Sequence, residues 1–238
     1  MFDFLWGNQP NPKTIQRQVK RLTETGGEDG PRVEAAEKLA EWATPEALYA
    51  LLKRFTMSSK VITQDIEEKR YVVRILAGKG QDAVGPIMRF IKTNSQVEWP
   101  VQALAQILSR EELVPKLVEA LDHVGQGEFT SPEHRTSLIK AMHGYVTPEV
   151  ANTIRKFLKD DDDDVRIAAI QALAELGEEM REPLLESFIE SADRPRIRIA
   201  IAEVFADREW PVKGFRPTIE ETLPDGFHIT SKGMIRRK

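Results

Sequence analysis

One recurring segment limits what this chain can fold into more than any other feature. Val165-Arg166-Ile167-Ala168-Ala169-Ile170 aligns with Ile197-Arg198-Ile199-Ala200-Ile201-Ala202. Looser copies run through Pro31-Arg32-Val33, Lys69-Arg70-Tyr71, Trp99-Pro100-Val101 and His134-Arg135-Thr136. The anchors at 32, 70, 100, 135, 166 and 198 are separated by 38, 30, 35, 31 and 32 residues, a period near 33. A unit of that length cannot bury its own apolar face. Stacked copies can share one core, so the spacing predicts a repeat architecture.

Each unit reads as two helices. Thr147 suits an N-cap, Pro148 the first helical position and Glu149 the positive end of the dipole. Val150, Ile154, Phe157 and Leu158 then form one apolar stripe. The acidic run from Asp160 to Asp164 breaks the pattern. A second helix follows, apolar nearly all round: Val165, Ala169, Ala172, Leu173 and Leu176 on one side, Ile167, Ala168, Ile170 and Ala174 on the others. Thr44-Pro45-Glu46 and Ser131-Pro132-Glu133 repeat the start signal, and Ser109 with Glu112 fits a capping box. Strand alternation does not appear before the C-terminus.

The absence of Cys excludes a disulfide framework, a thiolate metal site and a thiol nucleophile. No apolar run approaches the ~20 residues of a membrane span. The start, with no basic n-region, does not read as a secretory signal. No HExxH, GxSxG or Walker loop is present; Gly78-Lys79-Gly80 lacks phosphate-loop spacing. The run Asp160–Asp164 suits helix capping better than calcium, which needs alternating oxygens and a distal Glu. Residues 208–238 carry seven Lys/Arg and four acids, a local charge of +3. The whole chain is at −4, so residues 1–207 carry −7. An acidic repeat body argues against nucleic acid, whose affinity comes mainly from phosphate neutralisation.

The Asp-rich turn followed by Val-Arg-x-Ala-Ala-x-x-Ala-Leu, as in Asp162 to Gly177, resembles a HEAT repeat of the short bacterial, phycobilisome-lyase-like kind. The unit at Arg198 is the next best copy. The period is short for HEAT units in general. The resemblance implies an all-α fold: an α-solenoid, a right-handed superhelix of about six stacked hairpins. Its Val-Arg helices would line the concave face. The expected organisation is an aromatic cap segment at 1–12, repeats over 13–207, and a divergent cap with a basic tail at 208–238.

The repeated arginines Arg32, Arg70, Arg135, Arg166 and Arg198 read as a structural ladder. Asp65, Asp161 and Asp193 lie five residues before three of them and are the expected partners. Variable inner-helix positions, namely Arg74, Gln102, Gln106, Lys140, Gln171 and Glu203, are the candidate partner-binding set. Lys213, Arg216, Arg236, Arg237 and Lys238 form a possible docking tail. Trp42 and Trp99 read as packing residues, and the aromatic start Met1–Trp6 as folding back over the first hairpin.

The expected function is that of a cytoplasmic, monomeric, non-enzymatic scaffold that binds another protein on its concave face. No cofactor, metal or nucleic acid is expected. The alternative implied by the resemblance is a lyase or chaperone-lyase acting on a bilin-binding protein. A third is a DNA-repair glycosylase, since some HEAT-like proteins of this length have that activity.

Overall fold

The computed structural model describes residues 10–25, 30–126 and 130–238. The chain divides into two compact units, Met1–His123 and Val124–Lys238. The expectation for Met1–Trp6 lies outside the described residues.

In the first unit, α1 (Pro12–Leu22) packs against α2 (Gly30–Trp42) and α3 (Pro45–Leu51), which runs on as a 3-10 turn over Leu52–Thr56. Then come α4 (Ile62–Gly78), α5 (Gln81–Thr93) and α6 (Glu98–Ile107). Helices α2, α4 and α6 stack in one layer, and α1, α3 and α5 in the other. Leu39, Leu48, Leu51, Leu76, Ile87 and Phe90 are buried between them. Trp99 stacks on Phe55 at 6.5 Å, a packing role as expected. Helix α7 (Arg110–Gln126) carries the chain across the division. It opens on the reciprocal capping box: Ser109 N–H donates to Glu112 at 3.0 Å, and Glu112 N–H to Ser109 Oγ at 3.3 Å.

The second unit repeats the two-layer plan. Helices α8 (Pro132–Ala141), α10 (Asp163–Leu173) and α12 (Pro195–Arg208) stack in one layer. The other holds α9 (Pro148–Ile154) with its 3-10 extension Arg155–Lys159, then α11 (Arg181–Glu190) and α13 (Arg216–Thr222). The start signals act as read. Thr44, Ser131 and Thr147 hydroxyls accept from the backbone N–H of Ala47, His134 and Val150 at 3.2, 3.2 and 3.3 Å. Val150, Ile154, Phe157 and Leu158 are buried, and α10 buries Val165, Ala168, Ala169, Ile170, Ala172 and Leu173. The chain is therefore all-α, of the helical-repeat solenoid class.

Among the described residues, strands appear only in the divergent segment. β1 (Phe227–Ile229) and β2 (Ile235–Arg237) pair antiparallel, Phe227 opposite Arg237 and Ile229 opposite Ile235. β2 lies on α12. Among the described residues no helix is long and apolar enough to cross a membrane.

Losing one cap hydroxyl should have a contained effect. Thr147→Ala is expected to lower the stability of the second unit by about 1 kcal/mol, the usual worth of an N-cap. Hydrogen exchange should show the loss first in α9; uniform loss through the unit would contradict this.

Candidate functional site

Four of the five ladder arginines, Arg32, Arg135, Arg166 and Arg198, bond inside the fold, and their partners differ from those expected. Of the ladder arginines in the second unit, Arg135 and Arg166 reach forward across their own hairpins, and Arg198 reaches both ways. Arg135, early in α8, meets Asp160 with Nε 2.9 Å from Oδ2 and Nη2 donating to Oδ1 at 3.0 Å. Arg166, early in α10, donates to Ser191 Oγ at 2.5 Å. Arg198, early in α12, donates to the Phe188 carbonyl of α11 at 3.4 Å and to the Thr222 carbonyl at 3.5 Å, and lies over the Phe188 ring. Asp160 and Ser191 cap the C-terminal ends of their helices, and Thr222 ends α13. Two antiparallel helices bring the start of one beside the end of the next, where a cation complements both the free carbonyls and the dipole. The arginine thus clamps the open end of each hairpin.

The carboxylates of Asp161 and Asp193, five residues before Arg166 and Arg198, bond neither arginine among the described residues, and the neighbouring acids serve other groups. Asp162 caps α10, accepting from the N–H of Asp164 and Val165 at 2.9 and 3.2 Å. Asp163 pairs with Arg194 at 2.9 Å and Asp164 with Arg196 at 2.5 Å. The Asp161 carbonyl accepts from Arg194.

In the first unit Arg70 is exposed and is not a rung. Its neighbour Lys69 is buried instead and pairs with Asp65 at 2.7 Å. A side chain four residues away shares a helix face, and one five away does not. Around this pair lies a buried ionic cluster that the sequence reading missed. Glu68 accepts from Arg32 Nε at 2.9 Å, Arg32 Nη2 at 2.8 Å and Arg54 Nε at 2.9 Å. Arg54 also donates to Asp65 at 2.7 Å and to the Met57 carbonyl. Arg54 is fully buried, and Arg32, Asp65, Glu68 and Lys69 nearly so.

Burial by itself would raise the Asp65 pKa. Hydrogen bonds from Lys69, Arg54 and the Ser59 N–H outweigh it, and the carboxyl sits below its ordinary 3.8. A carboxyl depressed on folding adds stability that is present above its unfolded pKa and is lost as pH falls through the folded value. The first unit should therefore hold its stability down to about pH 4 and lose it below. Asp65→Asn should be less stable at neutral pH and flatter in acid, read by denaturant midpoints from pH 7 to 2. A wild-type slope equal to the variant's would refute the linkage.

The rungs are unequal. Arg166 has no carboxylate, its Nε has no partner among the described residues, and burial and then the Arg194 charge pull its pKa down. Ser191 keeps its own bond to the Ser187 carbonyl at 2.6 Å. Arg166→Met is expected to lie within about 1 kcal/mol of wild type, because the lost bond is offset by relief of desolvation. A loss above about 3 kcal/mol in urea unfolding would show that the clamp carries more.

The candidate binding residues are all exposed. In the second unit Lys140, Gln171 and Glu203 hold matching places on α8, α10 and α12. A groove of about 510 Å³ opens at the C-terminal ends of these helices. It is lined by Ile139, Lys140 and His143, by Ala168, Gln171, Ala172 and Glu175, and by Arg208. Ala168 and Ala172, one turn apart, keep its floor low. Glu175 accepts from the Gly144 N–H at 2.9 Å and lies 2.6 Å from His143 Nδ1. Gly144 adopts φ 77°, which lets the chain leave α8 and aim that N–H at the carboxylate. His143, Glu175 and Arg208 were not in the predicted set. They lie at or just past the ends of their helices, so the repeat pattern carried no signal for them. Glu203 is not among the lining residues.

In the first unit Arg74 lies over the Tyr71 ring at 5.6 Å, and Gln102 donates to Glu98 at 3.4 Å. Gln106 is exposed on α6.

The proposed docking tail is folded against its own unit. Arg237 pairs with Asp207 and Arg236 with Glu209, both at 2.6 Å, and Arg216 with Glu220 at 3.2 Å. Lys238 N–H donates to the Gly226 carbonyl. Lys213 keeps an exposed side chain while its carbonyl accepts from Arg181.

No curated protein and no solved structure matches the chain. Residues 129–206, from the segment before α8 to the last turn of α12, match the family model for HEAT repeats.

Proposed function

We propose that this protein is a non-enzymatic scaffold of the short bacterial HEAT type, monomeric and cytoplasmic, whose second unit holds a segment of another protein. HEAT repeats generally serve as protein-interaction scaffolds, and the match over 129–206 includes every residue that lines the groove except Arg208. The observation that carries the reading is the groove itself. Three helices clamped by Arg135, Arg166 and Arg198 present Lys140 and Gln171 at one open edge, and neither side chain has a partner among the described residues. A surface held rigid in this way loses little entropy on binding. The bilin-lyase and glycosylase alternatives gain no observation from the groove.

The test is site-specific photo-crosslinking in the source cells. A benzophenone amino acid replaces Gln171 in the groove or the exposed Glu186 on α11. One protein adduct from position 171 and none from 186 is the expected result. Equal adducts from both, or none from 171, would reject the groove as the binding surface.

A further inference from the structure

The groove of the second unit holds an imbalance of charge that points to the chemistry of its occupant; the inference rests on the scaffold reading above. Two cations line it, Lys140 from α8 and Arg208 from α12. Both are exposed, and neither has a hydrogen bond or ion pair among the described residues. A cation in a last helical turn complements the dipole wherever it stands. What sets this pair apart is the treatment of every acid nearby.

Glu175, the acid in the lining, is engaged by His143 and by the Gly144 N–H. Asp207 and Glu209, the chain neighbours of Arg208, are paired with Arg237 and Arg236. Glu203 on the same helix also acts on Arg237 through its charge. The C-terminal hairpin therefore ties its arginines to the two acids that flank Arg208 in the chain, and only a through-space attraction from Asp207 reaches Arg208. Lys140 and Arg208 are left without an ion pair of their own, on either side of a low floor made by Ala168 and Ala172.

We infer that the groove takes an acidic peptide segment of a partner protein, with carboxylates meeting Lys140 and Arg208 and the segment backbone lying over Ala168 and Ala172. Complementary charge of this kind sets specificity and the rate of encounter more than raw affinity. The basic tail serves the site indirectly, by neutralising its flanking acids.

The experiment uses the full chain with the photo-crosslinker at Gln171 and maps the adduct on the partner by mass spectrometry. The expected crosslinked segment is rich in Asp and Glu. Lys140→Glu with Arg208→Glu should cut adduct yield about tenfold or more, while Lys213→Glu on the same unit leaves it unchanged. Both altered side chains are exposed, and an unchanged melting temperature confirms the fold. Asp/Glu→Lys changes in the mapped segment should then restore capture by the charge-reversed chain. An adduct whose segment lacks acids, or whose yield ignores the charge reversal, overturns the acidic-segment inference and leaves the scaffold reading standing. No adduct from Gln171 overturns the scaffold reading, and this inference with it.

Discussion

Glu68→Ala is expected to destabilise the first unit by about 3–5 kcal/mol, the usual result of removing one partner from a buried ionic group. Glu68 accepts four short bonds, three from Arg32 and one from Arg54. Without it two buried guanidiniums lose their shared carboxylate. Asp65 cannot replace it, since it is already held by Arg54, Lys69 and the Ser59 N–H. The cost is therefore set by stranded charge and not by the small volume removed. A companion variant separates the two: Arg32→Met, Arg54→Met and Glu68→Leu together should recover most of the loss, because both guanidiniums leave with their carboxylate while Lys69 and the Ser59 N–H still hold Asp65. Urea unfolding of both variants checks this. A single variant within about 1 kcal/mol of wild type would mean that water reaches the cluster and screens it.

That cluster was only half legible in the sequence. Its acids, Asp65 and Glu68, lie three apart on α4 and share a face. The adjacent Lys69-Arg70 pair could have been resolved by the same rule, since Lys69 is four residues from Asp65 and Arg70 is five. Matching the Val-Arg pattern by residue type selected Arg70 instead, one position and about 100° round the helix. Arg54 carried no signal at all. It sits in the 3-10 continuation of α3, outside any repeated position, and its burial is fixed by tertiary packing.

The helices themselves were readable because their signals are local. Thr44, Ser131 and Thr147 each combine a capping hydroxyl with Pro and Glu in the first turn, and each begins a helix where expected. The ladder partners were not readable because they are set by pairing across a hairpin. Arg135 meets Asp160, 25 residues on, and Arg166 meets Ser191 at the same distance. The candidate site divides in the same way. Lys140 and Gln171 follow from the period, since equivalent places on stacked helices face alike. Glu175, His143 and Arg208 come from turns and helix ends, where chain direction depends on geometry such as the positive φ of Gly144. The basic tail shows the limit of composition: its charge was visible, and its engagement with Asp207 and Glu209 was not.

The same tail bears on the second large effect. Trp210→Ala is expected to cost the second unit about 3–5 kcal/mol, the range for truncating a buried aromatic. Trp210 is 4% exposed and meets Phe205 edge-on at 5.5 Å. Its N–H on the backbone donates to the Phe205 carbonyl, just past Glu209 in the left-handed conformation that ends α12. From there the chain joins the hairpin, where Val212 N–H donates to the Gly233 carbonyl and Val212, Ile219 and Ile235 are buried. Trp210 thus fastens the divergent segment to the last repeat helix. In a stack of repeats each unit is stabilised by its neighbours, so loss of a cap exposes the terminal helix first. Hydrogen exchange should therefore show protection falling in α12 and the β-hairpin before α8. The groove should follow, because Arg208 ends α12 and its flanking acids are released when Arg236 and Arg237 leave. Capture of a partner from Gln171 should drop in this variant even where α8 and α10 remain protected. Uniform loss of protection across the second unit would mean instead that Trp210 belongs to one cooperative core, and that the segment beyond it is no separate cap.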